Sequence, residues 1–179
     1  MFNYSFWADE AYVSGIAMQL ATEKISFLNV LNAPGIMYQR LHMFMISLFF
    51  RLFGANEFVA RLPSLIGYLI GIIVIFFLAK RFSNTYGGIL ASFIYAFSHL
   101  NLSYATQAKP YITIQAILLL IMYLLSNKKK INHLLIIFLC CVATLLHNIG
   151  VFLWIVYIIH NVLTFKKLSI KMRGLIIVA

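Results

Sequence analysis

Long apolar runs separated by short polar breaks dominate the chain from residue 62 onward. A helix that crosses a bilayer needs about 17–25 apolar residues, and these runs lie near the short end of that range. The pattern therefore predicts an all-α, polytopic membrane helical bundle. The predicted spans lie near residues 62–79, 87–103, 111–126, 131–147 and 149–165, and a further one starts near 170. Because one helix over 131–165 would overshoot a bilayer, we predict a hairpin at residues 147–150.

The first 61 residues differ from the rest, because they carry all four acidic residues of the chain. Residues 37–53 are apolar enough to cross, but basic side chains lie at both ends. A crossing here would also break the alternation of strongly and weakly basic breaks between the later spans. We favour a helix in the external interface, with its basic groups reaching the headgroups, over a spanning helix. The sequence thus divides into an external loop with juxtamembrane helices (1–61) and a transmembrane bundle (62–179).

Composition and charge placement support the membrane class and orient the bundle. Hydrophobic residues make up 63% of the chain and charged residues 10%, whereas soluble domains carry about a quarter charged residues. The net charge of +10 comes from short basic clusters in alternate breaks, which predict cytoplasmic loops at 80–81, 128–130 and 166–173. The non-cytoplasmic face then holds 1–61, 104–110 and 147–150. This distribution predicts a multi-pass protein of the plasma or inner membrane and argues against nucleic-acid binding.

An adjacent acidic pair, Asp9 and Glu10, precedes the apolar part of the chain. A carboxylate at the mouth of an apolar bundle is well placed to act as a catalytic group in a membrane enzyme. Asp9 is therefore the first candidate site residue. The alternative is a solvated acidic pair that opens a helix, since acids favour the first helical turn.

Two further polar residues fall on the same predicted face. Lys109 is the only basic residue between Arg81 and Lys128, and His147 is an ionisable group at a span end. Ionisable groups at membrane depth are costly to bury, which makes them functional candidates. As alternatives, Lys109 is an interfacial anchor and His147 a helix-end polar group.

The other histidines and the cysteines offer no metal site. The histidines are scattered without metal-ligand spacing, at His42, His99, His133 and His160. Cys140 and Cys141 are neighbours inside an apolar run, so they are predicted to be packing residues rather than a disulfide.

The order of several short strings resembles the multi-spanning GT-C glycosyltransferases, in particular the group related to protein O-mannosyltransferases and aminoarabinose transferases. After the acidic pair and Pro34 come Leu52-Phe53-Gly54-Ala55-Asn56-Glu57-Phe58-Val59-Ala60-Arg61-Leu62-Pro63-Ser64, then Gln107-Ala108-Lys109-Pro110-Tyr111, and finally His147. The resemblance covers about residues 6–148 and rests on the order and spacing of these strings.

The resemblance implies an inverting transferase that moves a sugar from a polyprenyl-phosphate donor to an acceptor outside the cytoplasm. Asp9, with Glu10 beside it, is implied to deprotonate the acceptor hydroxyl or to bind a divalent metal ion. Lys109, Tyr111 and His147 are the candidates for holding the lipid phosphate, whose developing charge needs positive charge and hydrogen-bond donors. The sugar and acceptor stay open. The alternative is a non-enzymatic membrane protein, such as a transporter or flippase subunit or a scaffold.

Some features depart from the family pattern. The family has a span ahead of the acidic pair, whereas eight residues precede Asp9 here, and the last apolar run still continues at Ala179. We therefore expect a fragment of a longer transferase or the product of a broken reading frame. The position of Lys109 is more often arginine in the group, and a more elaborate proline-rich string is common where Pro34 is followed by Gly35.

Overall fold

The computed structural model describes residues 8–23, 29–30, 39–126 and 132–177, and beyond residue 164 it describes the backbone alone. These ranges contain α-helices and short connections without a strand, which confirms the all-α fold class. The helices are α1 (Ala8–Thr22), α2 (Arg40–Phe53), α3 (Glu57–Phe82), α4 (Thr85–Phe97), α5 (His99–Ala105), α6 (Tyr111–Leu125), α7 (His133–Leu146) and α8 (Phe152–Ile177), with a 3₁₀ turn at Asn148–Val151.

Asparagine side chains begin three of these helices. The side-chain oxygen of Asn56 accepts the backbone N–H of Val59 at 2.9 Å at the start of α3. Asn84 caps α4 and Asn132 caps α7 in the same way. Each cap satisfies a backbone donor that the first helical turn leaves unpaired. Helix α3 therefore begins at residue 57, ahead of the apolar run that starts at residue 62.

Helices α3 and α6 lie side by side and run in the same direction. Near their starts, Thr113 donates to the carbonyl of Pro63 at 3.3 Å. Near their ends, Arg81 donates to the carbonyl of Tyr123 and to the Ser126 hydroxyl, both at 3.1 Å. Gly67 permits the close approach, because a Cβ there would lie 2.8 Å from Thr113 Cα. The basic end of α3 and the end where α6 begins are therefore opposite ends of the bundle.

Among the described residues, α3 is the one helix that is both long and apolar enough to cross a membrane. Shorter apolar helices cover Thr85–Phe97, Tyr111–Leu125, His133–Leu146 and Asn148–Thr164. The predicted span at 87–103 corresponds to two helices, α4 and α5, which separate at Ser98. The number of crossings stays a prediction, as does the division at residue 62.

Helix α2 packs against both α1 and the start of α3. Their shared core includes Val13 and Ala17 of α1, Ile46 of α2 and Ala60 of α3, together with Ala108 from the loop before α6. Helix α2 has 14 residues, fewer than the ~20 that a crossing helix needs. Its predicted position in the interface stays a prediction. The layer formed by α1 and α2 covers the end of the bundle at which α3 and α6 begin.

Candidate functional site

The connection between α5 and α6, residues 106–110, is held in place by polar contacts from its neighbours. The Ser64 hydroxyl of α3 donates to the carbonyl of Lys109 at 2.7 Å. Within the connection, the N–H of Lys109 donates to the carbonyl of Gln107 at 2.8 Å. Ala108 is fully buried under α1 and α2. The backbone that carries Lys109 is therefore fixed on both sides.

The two acids of the first turn of α1 have different surroundings. Successive residues of an α-helix point about 100° apart, so neighbours cannot share one environment. The Asp9 side chain is 64% exposed, whereas the Glu10 side chain is fully buried. Asp9 is thus the carboxylate that solvent and ligands reach, and Glu10 belongs to the packing of the site.

Asp9 forms an ion pair with Lys109, with 2.7 Å between Asp9 Oδ2 and Lys109 Nζ. This distance is that of a strong, charge-assisted hydrogen bond. The hydrogen bond and the positive charge of Lys109 hold the pKa of Asp9 below its usual value, while partial desolvation opposes them. Asp9 is therefore ionised throughout the physiological pH range.

We expect Lys109→Gln to raise the pKa of Asp9 toward the ordinary value of 3.8. Any stability that the pair adds is present above that value and is lost as the pH falls through the lower folded pKa. Asp9 is the single aspartate of the 179 residues, so aspartate labelled with ¹³C at the carboxyl carbon gives one signal to titrate by NMR. Lys80→Gln, the same substitution in the last turn of α3 and away from Asp9, is the control. An unchanged Asp9 pKa in Lys109→Gln would contradict the ion pair.

Glu10 connects α1 to two other parts of the site. Its Oε1 accepts the backbone N–H of Ala108 at 2.5 Å and lies 3.7 Å from Nε of Arg61. Arg61 also faces Glu57, one helical turn earlier, at 3.9 Å. Because Glu10 is fully buried, these contacts compensate for the removal of its charge from water. The carboxylate therefore fastens the start of α1 to α3 and to the loop that carries Lys109.

A row of rings continues from this loop. The centroids of Tyr104 and Tyr111 are 5.3 Å apart, and those of Tyr111 and His147 are 5.4 Å apart. The Nδ1 atom of His147 accepts the N–H of Ile149 at 3.1 Å, so its proton lies on Nε2. Partial burial lowers the pKa of His147. His147 is therefore a neutral hydrogen-bond donor at physiological pH rather than a cation.

The donor set around Asp9 does not fit a divalent ion. A divalent cation needs several oxygen ligands, and the ammonium of Lys109 already lies against the Asp9 carboxylate. The second carboxylate, Glu10, faces Ala108 and Arg61 instead. In the part of the chain that the structure describes, no group of three or more His, Cys, Asp or Glu side chains could hold a metal.

The structure thus places the sequence candidates in two adjoining groups. Asp9 meets Lys109 directly, Glu10 lies behind this pair, and Tyr111 meets His147. Their catalytic and binding roles stay predictions. Arg61 and Ser64, which contact Glu10 and the Lys109 carbonyl, had no role assigned from the sequence. Both belong to the string over residues 52–64 that carries the family resemblance, and that string was the available signal.

Comparison with known families gives a match over most of the chain. A family model described as dolichyl-phosphate-mannose-protein mannosyltransferase matches residues 40–179, more than three quarters of the sequence. No curated protein and no solved structure matches the chain. The matched region includes Arg61, Ser64, Lys109, Tyr111 and His147, whereas Asp9 and Glu10 lie before it.

Proposed function

Since this chain belongs to the dolichyl-phosphate-mannose-protein mannosyltransferase family of GT-C membrane glycosyltransferases, we propose that it transfers a sugar from a polyprenyl-phosphate donor to an acceptor hydroxyl with inversion. The transfer takes place on the non-cytoplasmic face of a multi-pass bundle. Asp9 is the general base, and Lys109 holds the phosphate with help from Tyr111 and His147.

The pairing of Asp9 with Lys109 is the observation that carries this proposal. A displacement at the anomeric carbon needs a base for the acceptor hydroxyl and positive charge for the departing phosphate. The 2.7 Å contact supplies one group of each kind within reach of one bound substrate. Asp9 is exposed enough to meet an acceptor from the aqueous side.

The distribution of charge along α3 supports the assignment of the face. Lys80 and Arg81 lie in its last turn, whereas Arg61 near its start is matched by Glu57 and Glu10. The unbalanced basic end is the one expected on the cytoplasmic side. The balanced end, where Asp9 and Lys109 lie, then faces away from the cytoplasm.

The reaction is a single displacement. Asp9 accepts the proton of the acceptor hydroxyl as its oxygen attacks the anomeric carbon from the face opposite the phosphate. The bond between the anomeric carbon and the phosphate oxygen breaks, and polyprenyl phosphate leaves with the electron pair. The developing negative charge is stabilised by the Lys109 ammonium and by the Nε2–H donor of His147.

The ion pair has a consequence for the order of events. While Lys109 is bound to Asp9, the carboxylate is a weak base, because the same contact that holds its pKa low stabilises its ionised form. A donor phosphate competes with Asp9 for Lys109. Once the phosphate takes the ammonium, its negative charge raises the pKa of Asp9 and strengthens the base. Donor binding therefore precedes deprotonation of the acceptor.

Lys109→Gln tests the phosphate role. We expect the KM for the donor to rise about tenfold to hundredfold, the size of one lost hydrogen bond to a charged group. The assay uses membranes that contain the full chain and undecaprenyl phosphate carrying radiolabelled mannose, and it measures label leaving the donor. Lys80→Gln is the matched control and should keep the donor KM of the wild type. A normal KM in Lys109→Gln would overturn the role of Lys109, and no release of label by the wild type would overturn mannose as the transferred sugar.

A further inference from the structure

The apolar helix that begins at Thr85 is interrupted at Ser98, where α4 ends and α5 starts. Ser98 has a ψ of 121°, far from the value of about −42° in an α-helix. An interruption leaves the last carbonyls of α4 without the N–H groups that a continuous helix would supply. In apolar surroundings such carbonyls are costly, so a break there requires other donors.

Two side chains supply these donors. The amide of Asn101, in α5, donates to the carbonyl of Tyr95 at 3.0 Å. The hydroxyl of Tyr68, near the middle of α3, donates to the carbonyl of Ala96 at 2.5 Å. Both side chains are buried. The break is therefore stabilised by the helix that follows it and by the neighbouring helix.

The core around the break extends to the loop that carries Lys109. The rings of Tyr68 and Tyr95 are stacked, with centroids 6.1 Å apart. Ala105, the last residue of α5, and Ile112, in the first turn of α6, are buried in the same cluster as these two rings. Ala105 and Ile112 flank the loop. The contacts that stabilise the break therefore also fix both ends of the loop.

The direction of α5 decides where the loop lies. The seven residues of α5 form a helix about 10 Å long, so a turn of about 20° at the break would move its far end by about 3–4 Å. The contact between Asp9 Oδ2 and Lys109 Nζ is 2.7 Å, and a hydrogen bond is lost within about 1 Å beyond that distance. The ion pair is therefore sensitive to small changes at Ser98, even though Ser64 holds the Lys109 carbonyl on the other side.

We propose that Tyr68 and Asn101 are positioning residues for Lys109. They hold α5 in the direction that brings the Lys109 ammonium against Asp9 and makes it ready for the donor phosphate. The two residues act through the backbone of the loop rather than by touching the substrate. This inference rests on the proposed function and deepens it, because it extends phosphate binding to residues of the bundle interior.

Asn101→Leu and Tyr68→Phe test the proposal, because each removes one donor at the break and keeps a side chain of similar size. We expect both to raise the pKa of Asp9 toward 3.8, since a displaced Lys109 no longer holds it low. The NMR titration of the single aspartate in the full chain measures this change without any substrate. We also expect the KM for undecaprenyl phosphate carrying radiolabelled mannose to rise about threefold to tenfold, less than in Lys109→Gln.

Two comparisons separate positioning from a general loss of stability. Ser92→Ala is the matched control, because the Ser92 hydroxyl joins α4 to the Ile72 carbonyl of α3 at 3.2 Å on the other side of the break. It should leave the Asp9 pKa and the donor KM unchanged. Combining Asn101→Leu with Lys109→Gln should raise the KM no further than Lys109→Gln alone, since the effects of residues that act through one group are not additive.

The outcomes keep the inference apart from the proposed function. An unchanged Asp9 pKa in both single variants, with helical circular dichroism retained, would overturn the positioning role. If Asn101→Leu fails to fold, Tyr68→Phe decides alone, because it loses a single oxygen atom. A raised Asp9 pKa with a normal donor KM would support the positioning of Lys109 and contradict its role in binding phosphate. An equal shift of the Asp9 pKa in Ser92→Ala, or a further rise of the KM in the double variant, would count against the inference.

Discussion

Replacing Asp9 by asparagine is expected to lower kcat for sugar transfer by about 10²–10⁴-fold, the usual contribution of a general base. Asparagine keeps the size of the side chain but cannot accept a proton from the acceptor hydroxyl. Because Asp9 is 64% exposed and sits at the start of α1, the substitution leaves the packed core untouched. The measurement is single-turnover transfer at saturating donor, in membranes with matched amounts of wild-type and variant chain.

Glu23→Gln is the control for this prediction, since it removes one exposed carboxylate at the far end of α1 and should leave kcat unchanged. A second readout separates catalysis from donor binding. Asp9→Asn also frees Lys109 from its partner, so the variant should bind dodecyl phosphate at least as tightly as the wild type. A variant that retains most of the wild-type rate would exclude Asp9 as the base and would favour a non-catalytic role for the acidic pair.

The sequence predicted the helical class and the end of the bundle that carries the candidate residues. Both follow from one-dimensional patterns: apolar runs determine where helices lie, and the alternation of basic breaks groups the loops into two sets. That grouping placed Asp9, Lys109 and His147 together, and the structure brings Asp9 to Lys109, which lies 100 positions later in the sequence. Charge complementarity made this contact plausible, but only the packing of α1 over residues 106–110 produces it.

Other features depend on three-dimensional packing and leave little trace in the sequence. Adjacent acids look alike in a sequence, and which of them is buried depends on the rotation of α1 about its axis. Glu10 is buried because Val13 and Ala17 on the same side of α1 enter the core with α2. His42 appeared as one of several scattered histidines, yet its side chain is fully buried. The break at Ser98 falls where Ser98, His99 and Asn101 interrupt the apolar run, a polar signal that the prediction of one span over 87–103 did not use.

The charges of the site nearly cancel in the absence of substrate. Lys109 is neutralised by Asp9, and Arg61 by Glu10 and Glu57. A phosphate therefore binds well only if Lys109 separates from Asp9 or Arg61 separates from its acids. The exposed Asp9 side chain can rotate toward solvent at little cost. The Glu10 side chain cannot leave its position without leaving Arg61 and the Ala108 N–H unpaired against an apolar core. By this difference Asp9 is the acid that a phosphate can displace from its cation, whereas Glu10 stays bound to Arg61 and Ala108.

Glu10, which stays bound, should therefore contribute to the stability of the fold. Glu10→Ala is expected to lower the free energy of unfolding by about 3 kcal/mol, the lower end of the range for breaking a buried ion pair, because Arg61 keeps some solvent contact. The loss combines an arginine without its buried partner and an N–H of Ala108 without an acceptor. It is measured by chemical unfolding of the full chain in detergent micelles, followed by the change in helical circular dichroism.

Glu57→Ala provides the matched comparison, since Glu57 faces the same arginine from an exposed position one turn away. Exposed pairs contribute little, so this variant should lose at most about 1 kcal/mol. Glu10→Gln separates charge from hydrogen bonding, because the amide oxygen can still accept the Ala108 N–H, and its loss should fall between the other two. Equal losses for Glu10→Ala and Glu57→Ala would show that burial of Glu10 adds nothing. In that case the loop that carries Lys109 would be held by Ser64 rather than by Glu10.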